Sequence, residues 1–289
     1  MPELPEVETI AAGVNARVRG DTIQSVWVSS RTEPFKTPAA EMQTGLVGRR
    51  ILRVHRIGKH IVCDLGYGKR PPQRSQKSPP EPPEAQWIVH LGMTGRLLVC
   101  DSDAPTAPHT HAVLTLASGR ELRFVDPRRF GRLTIRPFAG EPGETSGFRG
   151  PGQEPLAITP DAFAKLFHGR HTPIKAALLN QKLLHGVGNI YADESLFRAG
   201  IRPRRLAWRL TRAELACLQS SLATVLQEAI ALGGSSVSDY VDANGVRGFF
   251  QLEHRVYRRT GIPCLACGTP IRRILIGGRG THYCPKCQR

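Results

Sequence analysis

The chain has 289 residues, with 40 lysines and arginines against 24 aspartates and glutamates, for a formal net charge of +16. The length allows two domains with substantial cores, and a positive excess spread along the chain points to a polyanionic partner, most often nucleic acid. No apolar run approaches the ~20 residues of a membrane span, and the acidic, amphipathic N-terminus is unlike a secretory signal.

The first residues after the initiator are Pro2-Glu3-Leu4-Pro5-Glu6-Val7. Removal of Met1 would leave Pro2 with a free secondary amine. An α-amino group has a pKa of about 7.7–8.0, so a useful fraction is neutral at physiological pH. A neutral amine can attack a sugar aldehyde carbon and form a Schiff base, and a carboxylate beside it can shuttle protons. The same residues also suit a plain helix start, with proline and acidic groups in the first turn. Val7, Ile10, Ala11, Val14 and Val18 fall at helical spacing, which predicts a helix from Leu4 to Arg19 ended by Gly20.

From Thr22 to about Pro137 the pattern changes to short β segments, among them 23–28, 61–65 and 87–91. Residues His111 to Arg136 read as two or three strands, with Ser118-Gly119 as a hairpin turn. Many short strands with frequent turns predict a sandwich or barrel. The Pro-, Gln-, Lys- and Ser-rich stretch Gly68–Gln86 reads as a disordered surface loop. The Gly- and Pro-rich stretch Glu141–Pro155 reads as an interdomain linker.

Beyond it the pattern is helical, over Asp161–His168, Ile174–Leu184, Ile190–Ala199 and Arg212–Leu232. The last carries Leu215, Leu218, Leu222, Val225, Leu226 and Ala229 on one face and stops at Gly233-Gly234. Residues Ser235 to Phe250 are polar and contain glycine, which predicts a mobile loop. His185-Gly186-Val187-Gly188-Asn189 forms a glycine-rich double turn before a helix. Its backbone N–H groups could grip a phosphate, with Asn189 as N-cap.

Of seven cysteines, four form Cys264-x-x-Cys267 and Cys284-x-x-Cys287, a spacing that fits one closed, structural four-thiolate zinc site. Between the knuckles a β-hairpin is expected, with Arg279 at its tip and suited to bidentate phosphate contact. The other three, Cys63, Cys100 and Cys217, lie in apolar contexts and read as buried thiols of a reducing compartment. Two further loops each close a strand: His90-Leu91-Gly92-Met93-Thr94-Gly95 and Asp126-Pro127-Arg128-Arg129-Phe130-Gly131. Met93 and Phe130 could each belong to the core. An apolar wedge beside arginines is also what duplex-kinking and base-flipping proteins insert between bases.

Together these motifs resemble the formamidopyrimidine-DNA glycosylase family. The resemblance rests on Pro2–Thr9, His90–Gly95, Asp126–Gly131, Gly186-Val187-Gly188-Asn189-Ile190-Tyr191 and the four-cysteine finger, in that order. It implies an α+β multidomain fold: an N-terminal helix on a β-sandwich (1–137), a linker (138–155), a helix–two-turns–helix domain with a lesion-recognition loop (156–250) and a zinc finger (251–289). DNA would lie in the cleft between the halves.

The implied activity is a bifunctional glycosylase and abasic-site lyase of base excision repair, acting as a monomer on double-stranded DNA that carries oxidised purines or abasic sites. Its location would be cytoplasmic and nucleoid-associated, and one zinc per chain would be its cofactor. By the same resemblance Pro2 is the nucleophile at the sugar C1′ and Glu3 the general acid/base. Lys59, which the resemblance places with Pro2, Glu3 and Arg279 among the catalytic residues, lies near the lesion phosphate and base. Met93, Arg128 and Phe130 fill and wedge the vacated stack, and His109 contacts DNA. Asn189 and Arg279 clamp phosphates, and Arg279 takes part in δ-elimination.

The chain departs from the family at Gly169-Arg170-His171, where a lysine cluster is usual; His171, mostly neutral at physiological pH, or Arg170 would make that DNA contact. The insertion at 68–86 is also unusual. Two alternatives are an endonuclease VIII-like enzyme for oxidised pyrimidines, which commonly has glycine where Leu4 stands, and a non-catalytic zinc-finger DNA-binding protein.

Overall fold

The computed structural model describes residues 1–67, 83–139, 147–236 and 241–289. In chain order the helices are α1 (Leu4–Val18), α2 (Ala39–Leu46), α3 (Pro160–Phe167), α4 (Ile174–Leu178), α5 (Asn189–Arg198) and α6 (Arg212–Ala231). The first four strands are β1 (Ile23–Val28), β2 (Arg49–Ile57), β3 (His60–Tyr67) and β4 (Ala85–His90). They are followed by β5 (Arg96–Asp101), β6 (Thr110–Leu116), β7 (Arg120–Val125), β8 (Arg132–Pro137), β9 (Arg272–Ile276) and β10 (Arg279–Tyr283).

The chain divides into two compact units. One contains Met1–Pro2, Glu6–Arg149 and Ser236–Gly248; the other contains Glu3–Pro5, Gly150–Ser235 and Phe249–Arg289. In the first unit two antiparallel four-stranded sheets, ordered β1-β6-β7-β5 and β2-β3-β4-β8, share one apolar core. Trp87, Leu65 and Leu133 enter it from one sheet, Leu114, Leu122 and Phe124 from the other, and Val7, Ile10, Val14 and Val18 from α1. Burial of these apolar faces is the main favourable term in forming such a sandwich.

The second unit contains α3–α6 and the hairpin β9–β10. The six α6 residues expected on one face are its buried residues. No helix among the described residues is long and apolar enough to cross a membrane.

Several expectations change. The helix from Ile174 stops at Leu178, not Leu184. Asn180 redirects the chain: its side chain accepts from Lys182 N at 3.0 Å, and its carbonyl accepts from Leu184 N at 3.1 Å. Leu183 and Leu184 stay buried, so the apolar pattern survives the turn. Asn189 is not the cap of α5 but its first residue; Gly188 is the cap.

Among the thiols Cys63 is buried, Cys100 is half-buried and Cys217 is exposed on α6. The stretch after Ser235 is anchored over its described part: Ala243 is buried in the sandwich core and its carbonyl accepts from Val99 N at 3.2 Å. Of the proline-rich stretch, 68–82 lies outside the described residues, and Ala85 and Gln86 belong to β4. Elements α2, β2 and β5 were not foreseen as such.

The start of α6 is a capping box. Thr211 Oγ1 accepts from Glu214 N at 3.2 Å and the Glu214 carboxylate accepts from Thr211 N at 2.8 Å. Arg205 pairs with the same carboxylate at 2.5 and 3.0 Å. Arg205 first, then the Thr211 donors, hold the Glu214 carboxyl down from 4.5 to about 2. A depressed folded value stabilises the fold above the unfolded value and loses that stabilisation as pH falls through about 2. Solvent screens this half-exposed pair, so Glu214→Gln is expected to cost about 1 kcal/mol at neutral pH, the scale of a lost cap. Urea denaturation of wild type and variant should show the gap closing as pH falls from 4.5 towards about 2; a pH-independent gap would assign the effect to packing.

Candidate nucleic-acid interface and metal centre

Glu3 belongs to the second unit and is buried there. Its Oε1 accepts from Ile190 N at 3.1 Å and its Oε2 lies 3.5 Å from Tyr191 N. These are the second and third residues of α5, so the carboxylate sits where unsatisfied amides and the helix dipole favour an anion. Beside it Leu4 N donates to Gly186 O at 3.0 Å. The two glycines of the double turn make room: a Cβ on Gly188 would lie 2.1 Å from Glu3 Cδ, and one on Gly186, at φ +97°, would lie 2.9 Å from Leu4 Cδ1. The expected phosphate-gripping turn is therefore occupied by the chain's own third residue. Pro2 is buried and belongs to the first unit.

Asn189 and Arg279 come together in the second unit. Asn189 Nδ2 donates to Gly280 O at 3.0 Å, one residue beyond Arg279. Arg279 is exposed and opens β10 after the Gly277-Gly278 turn, whose φ values of +54° and +72° favour glycine. The same strand is held by a buried group that sequence reasoning missed. Lys175 Nζ lies 2.6 Å from Asp193 Oδ1, and both side chains are fully buried. Burial lowers the Lys175 pKa, and Asp193 opposes that shift. A second acid, Glu194, is also buried and accepts from the N–H groups of Arg255, Val256 and Tyr257 at 2.8–3.0 Å. The available signal was a pair of adjacent acids inside a helix with a lysine on the preceding one, since such charges are seldom fully buried unpaired.

The four finger cysteines place their sulfurs within 4.8 Å of one another. The Cys264–Cys287 and Cys267–Cys284 separations are 3.9 and 3.5 Å. Corners of a tetrahedron with metal–sulfur bonds of about 2.3 Å are about 3.8 Å apart, so this donor set fits zinc. The knuckles are shaped locally: Cys264 N donates to Thr269 O, and Cys287 N donates to Cys284 Sγ at 3.4 Å.

In the first unit the loops bearing Met93 and Phe130 pack backbone to backbone. A Cβ on Gly92, at φ +62°, would lie 2.5 Å from the Phe130 carbonyl carbon. Asp126 organises both loops. It accepts from Thr94 Oγ1 at 2.6 Å, Arg128 N at 3.3 Å and Gly131 N at 2.7 Å, and its own N–H donates to His109 O at 3.0 Å. Met93, His109, Arg128 and Phe130 thus share one loop cluster. Met93 and Phe130 are 41% and 48% exposed, which settles them as surface and not core. The Arg128 guanidinium stands 4.9 Å over the Phe130 ring.

Lys59 is buried in the β2–β3 turn. Burial first, then His60 and Lys59, push His90 down to about 4, so that ring is neutral at physiological pH. In the second unit Arg170 and His171 are both exposed. The Arg170 Nε donates to Leu166 O, and the His171 ring lies 5.3 Å from that of Trp208.

Three family models match in chain order. They are the formamidopyrimidine-DNA glycosylase N-terminal domain over 1–133, the corresponding H2TH domain over 151–241, and a zinc finger found in FPG and IleRS over 261–289. A formamidopyrimidine-DNA glycosylase of Solibacter usitatus is 42% identical over 293 residues, covering all of both chains. A Lactococcus lactis FPG mutant in complex with Fapy-dG-containing DNA has a TM-score of 0.84 at 30% identity, with both chains fully covered. The Lactococcus lactis Fpg complex with abasic-site DNA gives 0.83 at 30% identity over 99% of each chain.

Seating of Glu3 depends on the absence of a side chain at residue 188. Gly188→Ala is expected to destabilise the protein by about 1–3 kcal/mol, the usual range for overpacking. Glu3→Ala in the same chain should relieve most of that, because it removes the atoms the new methyl meets. A double-mutant cycle on thermal unfolding reads this coupling, and strictly additive losses would show that the two residues do not meet.

Proposed function

The chain belongs to the formamidopyrimidine-DNA glycosylase family, whose members are DNA glycosylases of base excision repair, and we propose that it excises oxidised purines from duplex DNA and then cleaves the strand. The lesions are 8-oxoguanine and formamidopyrimidines. The observation that carries the reading is the Glu3 carboxylate, buried and held on the first amides of α5, next in sequence to the proline amine.

In this reading the Pro2 nitrogen attacks C1′ of the damaged nucleotide. The C1′–N bond to the base breaks and the base leaves with a proton. Glu3 supplies the proton transfers of base loss and sugar-ring opening. The product is an iminium between Pro2 and C1′, which carries its positive charge without further protonation. That charge acidifies the C2′ proton, whose removal expels the 3′ phosphate. A second elimination expels the 5′ phosphate, and Arg279 serves that step.

Lys59, His109, Asn189 and Arg279 contact the backbone, Arg170 or His171 extends the contact, and Met93, Arg128 and Phe130 occupy the space left by the extruded base. A phosphate contact of this kind is sequence-independent and salt-dependent. The functional division follows the four segments 1–137, 138–155, 156–250 and 251–289, and the site of action is the chromosome.

One zinc per chain would be held by Cys264, Cys267, Cys284 and Cys287. With four thiolates it is closed to substrate, so what it supplies is folding free energy for the hairpin that carries Arg279. Metal analysis should find one zinc per chain, and Cys284→Ser should lose the metal together with DNA affinity. An enzyme without zinc that binds normally would remove this assignment.

The nucleophile is tested at a single nitrogen. Any residue left before Pro2 converts its amine to an amide, which cannot attack. A chain that keeps Met1 or an N-terminal tag, verified by mass spectrometry, should lose base excision and borohydride trapping while still binding abasic-site duplex. Glu3→Gln should retain trapping on preformed abasic sites better than it retains base excision. Full excision by the blocked chain would exclude Pro2 and leave Lys59 as the next candidate.

A further inference from the structure

The Lys175–Asp193 pair has no part in the chemistry above, yet its hydrogen bonds converge on one segment. Asp193 Oδ1 takes Lys175 Nζ at 2.6 Å. Asp193 Oδ2 accepts from the His282 main-chain N–H at 2.9 Å and lies 3.1 Å from His282 Nδ1. Lys175 Nζ donates to Gly280 O at 3.1 Å and to Thr281 Oγ1 at 2.9 Å. The two buried charges therefore grip residues 280, 281 and 282, the three that follow Arg279. Gly280 O also accepts from Asn189, so the second phosphate clamp is tied to the same carbonyl.

Such an arrangement is a poor source of stability. Withdrawing two charges from water costs several kcal/mol each, and apolar replacements of similar volume are often neutral or better. What a buried pair supplies with certainty is geometry, because breaking it leaves an uncompensated charge. Geometry is what this hairpin lacks. Two strands are marginal alone, and β9 and β10 are joined by Gly277-Gly278. Among the described residues no ion pair holds the Arg279 guanidinium, so its aim is set by the backbone beneath it. Helix α5 carries both Asn189 and Asp193 and so is common to both holds on this segment.

We infer that Asp193 is a positioning residue: with Lys175 it fixes residues 280–282, so that Arg279 and Asn189 are presented to one phosphodiester track in a set geometry. This rests on the role proposed above for Arg279.

The test uses the full-length, zinc-loaded enzyme on duplex with a preformed abasic site. Asp193→Asn is compared with wild type and with Arg279→Ala, and the ratio of δ- to β-elimination product is read with borohydride trapping and zinc content. Asp193→Asn should keep its zinc and trap the Schiff base to within about twofold of wild type, while the ratio falls roughly tenfold towards that of Arg279→Ala, the scale typical of orienting partners behind a functional group. A purely structural role would lower trapping and both products together. A wild-type ratio with wild-type affinity overturns the inference.

If Asp193→Asn fails to fold or loses zinc, His282→Phe decides. It keeps the ring volume and the main-chain bond to Asp193 and removes only the side-chain one. A smaller fall in the same ratio supports the inference, and an unchanged ratio overturns it. If Arg279→Ala itself keeps the wild-type ratio, the role of Arg279 is wrong. Asp193 is then judged on binding to duplex carrying a reduced abasic site, where unchanged affinity in Asp193→Asn overturns it.

Discussion

An anionic carboxylate out of contact with water needs donors already in place, and for Glu3 they are the first amides of α5. A helix begins with N–H groups that no intrahelical carbonyl can satisfy. In many proteins a serine or aspartate caps them from the preceding residue; here the cap residue is Gly188 and makes no side-chain bond. The anion comes instead from Glu3, 187 residues before Ile190, whose amide it accepts from. Glycine at 188 is thus required by space, since any Cβ would occupy the carboxylate. The same exchange fixes Leu4 through Gly186. A segment at a chain terminus is ordinarily loose, and this contact is what gives residues 3–5 a defined place in the second unit.

The rest of α5 repeats the device with its side chains. Asn189 donates to Gly280 O, Asp193 accepts from His282 N, and Glu194 accepts from the N–H groups of residues 255–257, all far along the chain. One ten-residue helix therefore orders the N-terminal acid, the approach to the finger and the strand after Arg279. Burial raises the Glu194 pKa while three amide donors oppose it. That balance is the cost of using a buried carboxyl as a fastener on a helix.

Sequence periodicity carried the elements whose apolar faces are long and regular. The α6 stripe, α1 and most strands of the sandwich were legible because burial selects a residue at each period. Where local hydrogen bonding overrides periodicity, the reading fails: Asn180 cuts α4 short although Leu183 and Leu184 remain in phase. Short α2 offers only two turns and begins after Pro38 with no capping side chain, so neither period nor cap announces it. The cysteine set was legible because metal ligation demands fixed spacing. The Lys175–Asp193–His282 group was not, since its members lie on three separate elements and no spacing rule relates them. Asp126 was visible within a motif, but its part as acceptor for two loops needs the third dimension.

Exposure of Met93 and Phe130 is the remaining physical question. Leaving such side chains about half exposed forgoes part of the roughly 1.5–3 kcal/mol each that separates full burial from full exposure. Scattered apolar residues need no special account, but these two share one loop cluster. Gly92 lets the two loop backbones meet closely, and Asp126 accepts hydrogen bonds from both loops. The Arg128 guanidinium lies over the Phe130 ring and has no acid partner among the described residues, so the ring is flanked by a charge of the kind suited to phosphate. A rigid apolar pair rimmed by arginine has little to gain in water. In the proposed complex it would regain between unstacked bases the burial it forgoes, and so offset part of the cost of opening the stack. On that ground the exposure of Met93 and Phe130 and the proposed base extrusion are two sides of one free-energy difference.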